Sequence, residues 1–148
     1  MARVSVFGLG KVGHTLAACL GVAGHGVVGC DPLGAVVDAV NARRCDTAEP
    51  GVAERMVELD QSRLRATTSA EDAVLNSSTS IVIVPTPNNV LGGFSLRYVL
   101  RVCEEIGAAL RRKKDEHTVA IASTVLPGAS ESTRRDRLQL GRPIGGPA

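Results

Sequence analysis

Short apolar runs alternate along the chain with longer segments whose apolar residues recur at helical spacing. The runs at residues 3–7, 27–30, 81–84 and 118–122 contain two or more Val or Ile residues and predict strands, and residues 64–67 are strand-like as well. Segments 11–23, 34–41, 52–59, 70–75 and 96–114 predict helices between them, with Ser69 as an N-cap. The run at residues 81–84 has no polar alternation, which is typical of a strand buried on both faces.

This order of elements predicts a fold class, α/β with a doubly wound parallel sheet and helices on both faces, because parallel neighbours need crossover connections. Residues 1–135 are predicted to form the domain and residues 136–148 a basic tail that contains Gly and Pro. A further amphipathic segment is predicted at residues 130–138. In the first helix, the predicted buried side consists of Val12, Leu16, Cys19, Leu20 and Ala23.

A glycine motif directly follows the first strand and opens the first helix. It has the pattern G-x-G-x-x-G and consists of Gly8, Leu9, Gly10, Lys11, Val12 and Gly13. In a Rossmann-type dinucleotide site, the first glycine permits the tight turn and the second lets the backbone approach a pyrophosphate. The third glycine lets the helix pack closely on the strand, and the helix N-terminus offers N–H groups to the anion. Lys11 either adds charge near that pyrophosphate or is simply solvated.

Asp31 ends the second strand, 18 residues after Gly13, where such sites place the acid that binds the adenosine ribose. Its carboxylate would accept hydrogen bonds from the ribose hydroxyls and repel a 2′-phosphate. No arginine comes directly after it. The predicted cofactor is therefore NAD and not NADP.

Composition and charge exclude several other classes of protein. The 17 basic and 15 acidic residues give a net charge of +2, which does not indicate a nucleic-acid partner. No apolar run reaches the length of a membrane span and no signal peptide is evident, so we expect a cytoplasmic protein without a membrane partner. The four cysteines form no C-x-x-C pair and the histidines lack metal-ligand spacing, which predicts buried reduced thiols and no metal site.

Beyond the glycine motif, the chain resembles the NAD-binding domain of the UDP-glucose/GDP-mannose dehydrogenase family. The matching stretches follow the family's order over roughly residues 2–135. They are VSVFGLGKVG, GHGVVGCD, VVDAVNA, EPGV at residues 49–52, RLRATT at 63–68, VPTP at 84–87 and STVLPG at 123–128. Val36 and Ala122 depart from the pattern, since the family often has a basic residue at the first position and a charged one at the second.

The resemblance implies an enzyme that oxidises the primary alcohol of a sugar nucleotide to a carboxylate in two NAD-dependent steps. It further implies that Thr86 and Thr124 touch the ribose or nicotinamide side of the cofactor. The family's chemistry depends on a Cys and a Lys in a later part of the chain, and no cysteine here lies in a match to that motif. We therefore expect no catalytic residue in this chain, a sugar-nucleotide partner only where the missing domain is present, and a monomer or weak dimer.

Two other interpretations stay open at this point. The chain could be a stand-alone, non-catalytic dinucleotide-binding module that senses NAD/NADH or serves as a partner subunit. It could also belong to a different two-domain dehydrogenase, of the 6-phosphogluconate or 3-hydroxyacyl type. The P-T-P turn at residues 85–87 and the S-T-V turn at residues 123–125 argue against the second of these.

Overall fold

Five parallel strands form a single sheet in the computed structural model, which describes residues 1–44, 50–88, 94–125 and 127–128. The strands are β1 (Arg3–Phe7), β2 (Gly26–Cys30), β3 (Leu64–Thr67), β4 (Thr79–Val82) and β5 (Thr118–Ile121). The helices are α1 (Lys11–Val22), α2 (Gly34–Asn41), α3 (Val52–Val57), α4 (Ala70–Leu75) and α5 (Arg97–Leu110). The strand order is β3-β2-β1-β4-β5 and every pairing is parallel, which confirms the predicted doubly wound α/β class.

Apolar side chains are buried on both faces of this sheet. Val4 and Val6 of β1 pack with residues from α1, α2 and α3 in one cluster. Phe7, one position further along β1, packs with residues from α4 and α5 in the other cluster. Because successive side chains of a strand point to opposite faces, this division places α1–α3 on one face and α4–α5 on the other.

The buried side of α1 differs from the predicted one. The structure buries Gly13, His14, Ala17, Ala18 and Gly21, whereas Val12 is 68% exposed and Cys19 is exposed. The smallest side chains face the sheet because they let the helix backbone lie close to it, and the larger Leu16 and Leu20 are only half-buried. The prediction that Cys19 is a buried thiol was therefore wrong, whereas Cys30 and Cys103 are buried as predicted.

Several element boundaries also differ from the predicted ones. β4 begins at Thr79, two residues before the predicted start, because Ser5 of β1 pairs with Ser80 and their hydroxyls bond at 2.7 Å inside the sheet. α5 ends at Leu110 instead of Lys114. No helix in the described ranges is both long and apolar enough to cross a membrane. Residues outside the described part include Cys45, much of the predicted loop 85–93, the segment 130–138 and the tail 136–148.

A partly buried chain of polar groups crosses the end of the sheet that lies opposite the glycine motif. Lys113 Nζ donates to Nδ1 of His117 at 3.1 Å and to the carbonyl oxygens of Val74 and Ser77. An ammonium group has donors only, so Nδ1 of His117 is the acceptor and its Nε2 carries the proton. Nε2 then donates to Ser80 Oγ at 2.8 Å. The network therefore requires His117 in its neutral form.

We expect the free energy of unfolding to fall as the pH drops below about 6.5, because of His117. Burial, together with the positive charge of Lys113, lowers the pKa of His117 below its usual value of 6.5. The unfolded chain then binds the proton more tightly than the folded chain. The contribution of His117 to the free energy of unfolding is therefore fully present above its pKa in the unfolded chain, and it is lost as the pH falls through its pKa in the folded chain. Thermal melts between pH 7.5 and 5.5 should show this loss. It should be smaller in His117→Gln and unchanged in His25→Gln, and equal losses in all three proteins would contradict the account.

Candidate cofactor site

The glycine motif lies where the order of the sheet reverses. It connects the carboxyl end of β1 to α1, with β2 on one side of β1 and β4 on the other. Gly8 N donates to the Cys30 carbonyl oxygen at 2.9 Å and Ile83 N to the Phe7 carbonyl oxygen at 2.8 Å, so backbone bonds join the ends of all three strands. Open α/β sheets bind their ligands in the crevice at such a point.

Gly8 and Gly13 are required by the protein's own packing. Gly8 has a φ of +92°, and a Cβ atom there would lie 2.1 Å from the Ile83 carbonyl oxygen. A Cβ atom on Gly13 would lie 1.8 Å from the Gly8 carbonyl oxygen, which is part of the backbone and cannot rotate away. The two glycines therefore permit the turn and the close approach of α1 to β1, as predicted from the sequence.

Gly10 is different, because nothing in the described part of the chain requires a glycine at this position. Its backbone is extended, with φ −65° and ψ −172°, and a Cβ atom there would meet no heavy atom of the described residues within 4 Å. It is also the N-cap of α1, where no side chain caps the helix and no acidic residue stands in the first turn. The motif thus presents open space beside the N-terminal N–H groups of a helix, and this arrangement fits a pyrophosphate.

Asp31 lies beside the glycine motif with its carboxylate fixed. Oδ2 accepts a hydrogen bond from Leu9 N at 2.9 Å, and Oδ1 accepts one from Leu33 N at 3.0 Å. The residue is only 9% exposed. A carboxylate offers about four acceptor positions, so two bonds to the backbone leave capacity for the hydroxyls of a ribose. The structure therefore brings the predicted acid and the predicted glycine motif together, and it gives Asp31 a second role in holding the turn.

Replacing Asp31 by asparagine should impair both binding and stability. The amide retains one acceptor oxygen, so one of the two backbone N–H groups faces an N–H₂ group and loses its partner. We expect a cost of about 1–2 kcal/mol in the free energy of unfolding and about tenfold weaker NAD binding, since a neutral acceptor makes weaker hydrogen bonds. Chemical denaturation and calorimetric titration measure the two effects. Unchanged stability would contradict the structural role of Asp31.

The two predicted threonines lie on neighbouring loops at the same edge of the sheet. Thr86 is half-buried after β4, and Thr124 is exposed after β5. Ser123 joins these loops, because its Oγ accepts a hydrogen bond from Val84 N at 2.9 Å. Sequence analysis assigned Ser123 no such role, although a polar residue directly after a predicted strand is the signal that could have indicated it. The cofactor contacts of both threonines remain predictions.

A cleft of about 340 Å³ opens between the glycine motif and α2. It is lined by Leu9, Gly10, Lys11, His14, Ala35, Val36, Ala39 and Arg44. His14 is buried, and its Nε2 lies 3.1 Å from Met56 Sδ, so it links α1 to α3 at the cleft. Sequence analysis missed Arg44, because no local pattern relates a residue beyond the end of α2 to the glycine motif.

The buried cysteines, Cys30 and Cys103, do not have the character of activated thiols. Burial is the main factor that raises the pKa of the Cys30 thiol to about 12, and burial raises that of Cys103 to about 11. Both thiols are protonated at neutral pH and are poor nucleophiles. Cys19 is exposed and lines a separate cavity of about 430 Å³ between the C-terminal half of α1 and the start of α3, whereas the glycine motif lies at the N-terminal end of α1.

A family model described as "UDP-glucose/GDP-mannose dehydrogenase family, NAD binding domain" matches residues 2–142 of the chain. The chain belongs to this family. It is the family's NAD-binding domain, and NAD is its cofactor. The glycine motif and Asp31 lie within the matched range, as does the cleft beside α2.

Named relatives of the nucleotide-sugar dehydrogenase family agree with this assignment. GDP-mannose 6-dehydrogenase of Azotobacter vinelandii is 44% identical over 127 residues, which are 85% of this chain and 29% of that protein. A crystal structure of GDP-mannose dehydrogenase from Pseudomonas aeruginosa in a ternary complex superposes with a TM-score of 0.83 at 40% identity. That match covers 92% of this chain and 30% of the other. UDP-glucose dehydrogenase of Pyrobaculum islandicum gives a TM-score of 0.84 at 34% identity, over 93% of this chain and 33% of that one.

The chain thus spans about a third or less of the length of these dehydrogenases. What it shares with them is the NAD-binding domain.

Proposed function

We propose that this chain holds NAD for a dehydrogenase that oxidises the primary alcohol of a nucleotide sugar to a carboxylate. The observation that carries the proposal is the contrast within the glycine motif. Gly8 and Gly13 are explained by packing, whereas Gly10 leaves open space at an uncapped helix N-terminus. The oxidation itself is inferred from relatives that are named as GDP-mannose and UDP-glucose dehydrogenases.

In this proposal the pyrophosphate lies beside Gly10 and against the N–H groups of Lys11, Val12 and Gly13 in the first turn of α1. The N–H groups of Gly8 and Leu9 hold the turn instead, since they bind Cys30 and Asp31. Asp31 accepts hydrogen bonds from the adenosine ribose, and its buried negative charge disfavours a 2′-phosphate. Thr86 and Thr124 contact the ribose or nicotinamide side from the loops after β4 and β5. When bound, NAD supplies the hydride acceptor, and the residues that carry out the substrate chemistry lie in the part of the relatives that this chain does not span.

We also propose that the protein works in the cytoplasm as a monomer or weak dimer, with no nucleic-acid or membrane partner. The near-balanced charge and the reduced thiols of Cys30 and Cys103 support this environment. Residues 1–135 would form the folded domain and residues 136–148 a basic tail. A tight dimer in sedimentation at micromolar concentration would contradict the proposed state of assembly.

The experiment that tests the enzymatic role uses the complete product of the gene that encodes this chain. It would be incubated with NAD and either GDP-mannose or UDP-glucose, and NADH would be followed by absorbance. We expect two NADH per sugar nucleotide consumed, with one of the two sugars preferred, and no NADH with NADP in place of NAD. NAD binding without turnover of any nucleotide sugar would instead identify a non-catalytic dinucleotide-binding module.

A further inference from the structure

The cleft between the glycine motif and α2 is cationic on both sides. Lys11 belongs to the motif, and Arg44 lies on the opposite side, beyond the end of α2. The other lining residues from α2 are Ala35, Val36 and Ala39, which are small and apolar. No acidic side chain of the described residues lines the cleft. An anionic group in this cleft would therefore meet positive charge from Lys11 and from Arg44.

Arg44 extends from a firmly held piece of backbone. Its own N–H donates to the Ala39 carbonyl oxygen at 2.8 Å as α2 ends. The side chain of the preceding residue, Arg43, donates to the carbonyl oxygens of Leu59 at 2.6 Å and Leu64 at 2.7 Å. These bonds connect the end of α2 to β3 and to the segment after α3, so the backbone of Arg44 is fixed relative to the sheet.

The two neighbouring arginines therefore have different roles. The Arg43 guanidinium is occupied by backbone carbonyl groups, including that of Val40 at 3.0 Å. Arg44 is exposed and forms no ion pair with any side chain in the described ranges. A guanidinium group with its donors available is the side chain best suited to a phosphate, because it can donate two parallel hydrogen bonds to it.

We propose that Arg44 binds the adenosine-side phosphate of NAD across this cleft, opposite Gly10 and the N-terminus of α1. The inference rests on the NAD site proposed above and adds a residue that the glycine motif does not include. The helix N-terminus would hold the pyrophosphate from one side, and Arg44 would hold it from the other. Because the side chain is exposed, its contribution should be sensitive to salt.

The test compares the wild-type chain with Arg44→Gln and with Arg111→Gln, an equal loss of charge at the exposed end of α5. Each protein is titrated with NAD, ADP and adenosine at low and at physiological ionic strength. We expect Arg44→Gln to bind NAD and ADP about five- to tenfold more weakly, with a flatter dependence on salt. Its affinity for adenosine should be unchanged, and Arg111→Gln should match the wild type. Arg44→Lys should recover part of the lost affinity.

Two results would overturn the inference while leaving the NAD site intact. One is wild-type affinity of Arg44→Gln for both NAD and ADP. The other is an equal loss for adenosine and ADP, which would place the arginine on the base or the ribose. A folded wild-type chain that fails to bind NAD would instead contradict the proposed function itself. Melting temperatures of all variants, measured in parallel, keep these outcomes separate from unfolding.

Discussion

Replacing Gly13 by alanine should destabilise the domain severely. The added methyl group would lie 1.8 Å from the Gly8 carbonyl oxygen and 3.3 Å from Ile83 Cγ2. The first of these atoms belongs to the backbone of a turn that is itself bonded to β2, so only a movement of α1 away from β1 could relieve the clash. We expect a loss of about 3 kcal/mol or more in the free energy of unfolding, at the upper end of the range for overpacking.

Chemical denaturation measures this loss, and Gly26→Ala is the matched control. Gly26 begins β2 at the other end of the sheet, where a Cβ atom would meet only ordinary contacts, the nearest being 3.5 Å from the Ser62 carbonyl oxygen. The free energy of unfolding of the control should lie within about 1 kcal/mol of that of the wild type. A Gly13→Ala variant as stable as Gly26→Ala would show that α1 does not pack against the turn as described.

Replacing Gly10 by alanine should affect NAD binding far more than stability, in contrast to Gly13→Ala. We expect the fold to be retained and NAD binding to be lost. The methyl group would meet no atom within 4 Å in the ranges that the structure describes, and the extended backbone of this residue suits any amino acid. It would, however, occupy the space in which the pyrophosphate approaches the N–H groups of α1. We expect NAD to bind about 100-fold more weakly, because the anion would be displaced from several hydrogen bonds at once.

Titration of Gly10→Ala with NAD, beside a thermal melt, tests this separation of effects. Gly26→Ala again serves as the control and should bind NAD like the wild type. The free energy of unfolding of Gly10→Ala should fall by only about 0.5–1 kcal/mol, since glycine is a better N-cap than alanine. Wild-type affinity in this variant would remove the observation on which the proposed cofactor site depends.

The fold class and the centre of the site could be predicted because they depend on local patterns. The β-branched runs indicated the strands, and the spacing of Gly8, Gly10 and Gly13 placed a turn between β1 and α1. Asp31 was predicted by its place at the end of β2, and its carboxylate does lie beside the motif. In each case the relevant residues belong to one β-α-β unit, so their positions in sequence determine their positions in space.

The predictions that were wrong depended on packing between elements distant in sequence. The buried side of α1 was assigned by the size of its apolar residues, whereas the close approach of helix to sheet selects Gly13, Ala17 and Ala18. The start of β4 was predicted too late, because Ser80 is polar and was left out of the strand. In the structure its hydroxyl is hydrogen-bonded by Ser5 and His117 inside the protein. Neither effect leaves a signal within the segment concerned.

Calorimetric titration of the chain with NAD, with NADP as the comparison, tests the central claim most directly. The account predicts saturable binding of one NAD per chain, together with much weaker binding of NADP because the fixed carboxylate of Asp31 faces the 2′-phosphate. Absence of NAD binding by a chain shown to be folded by circular dichroism would contradict it, and so would equal affinity for the two cofactors.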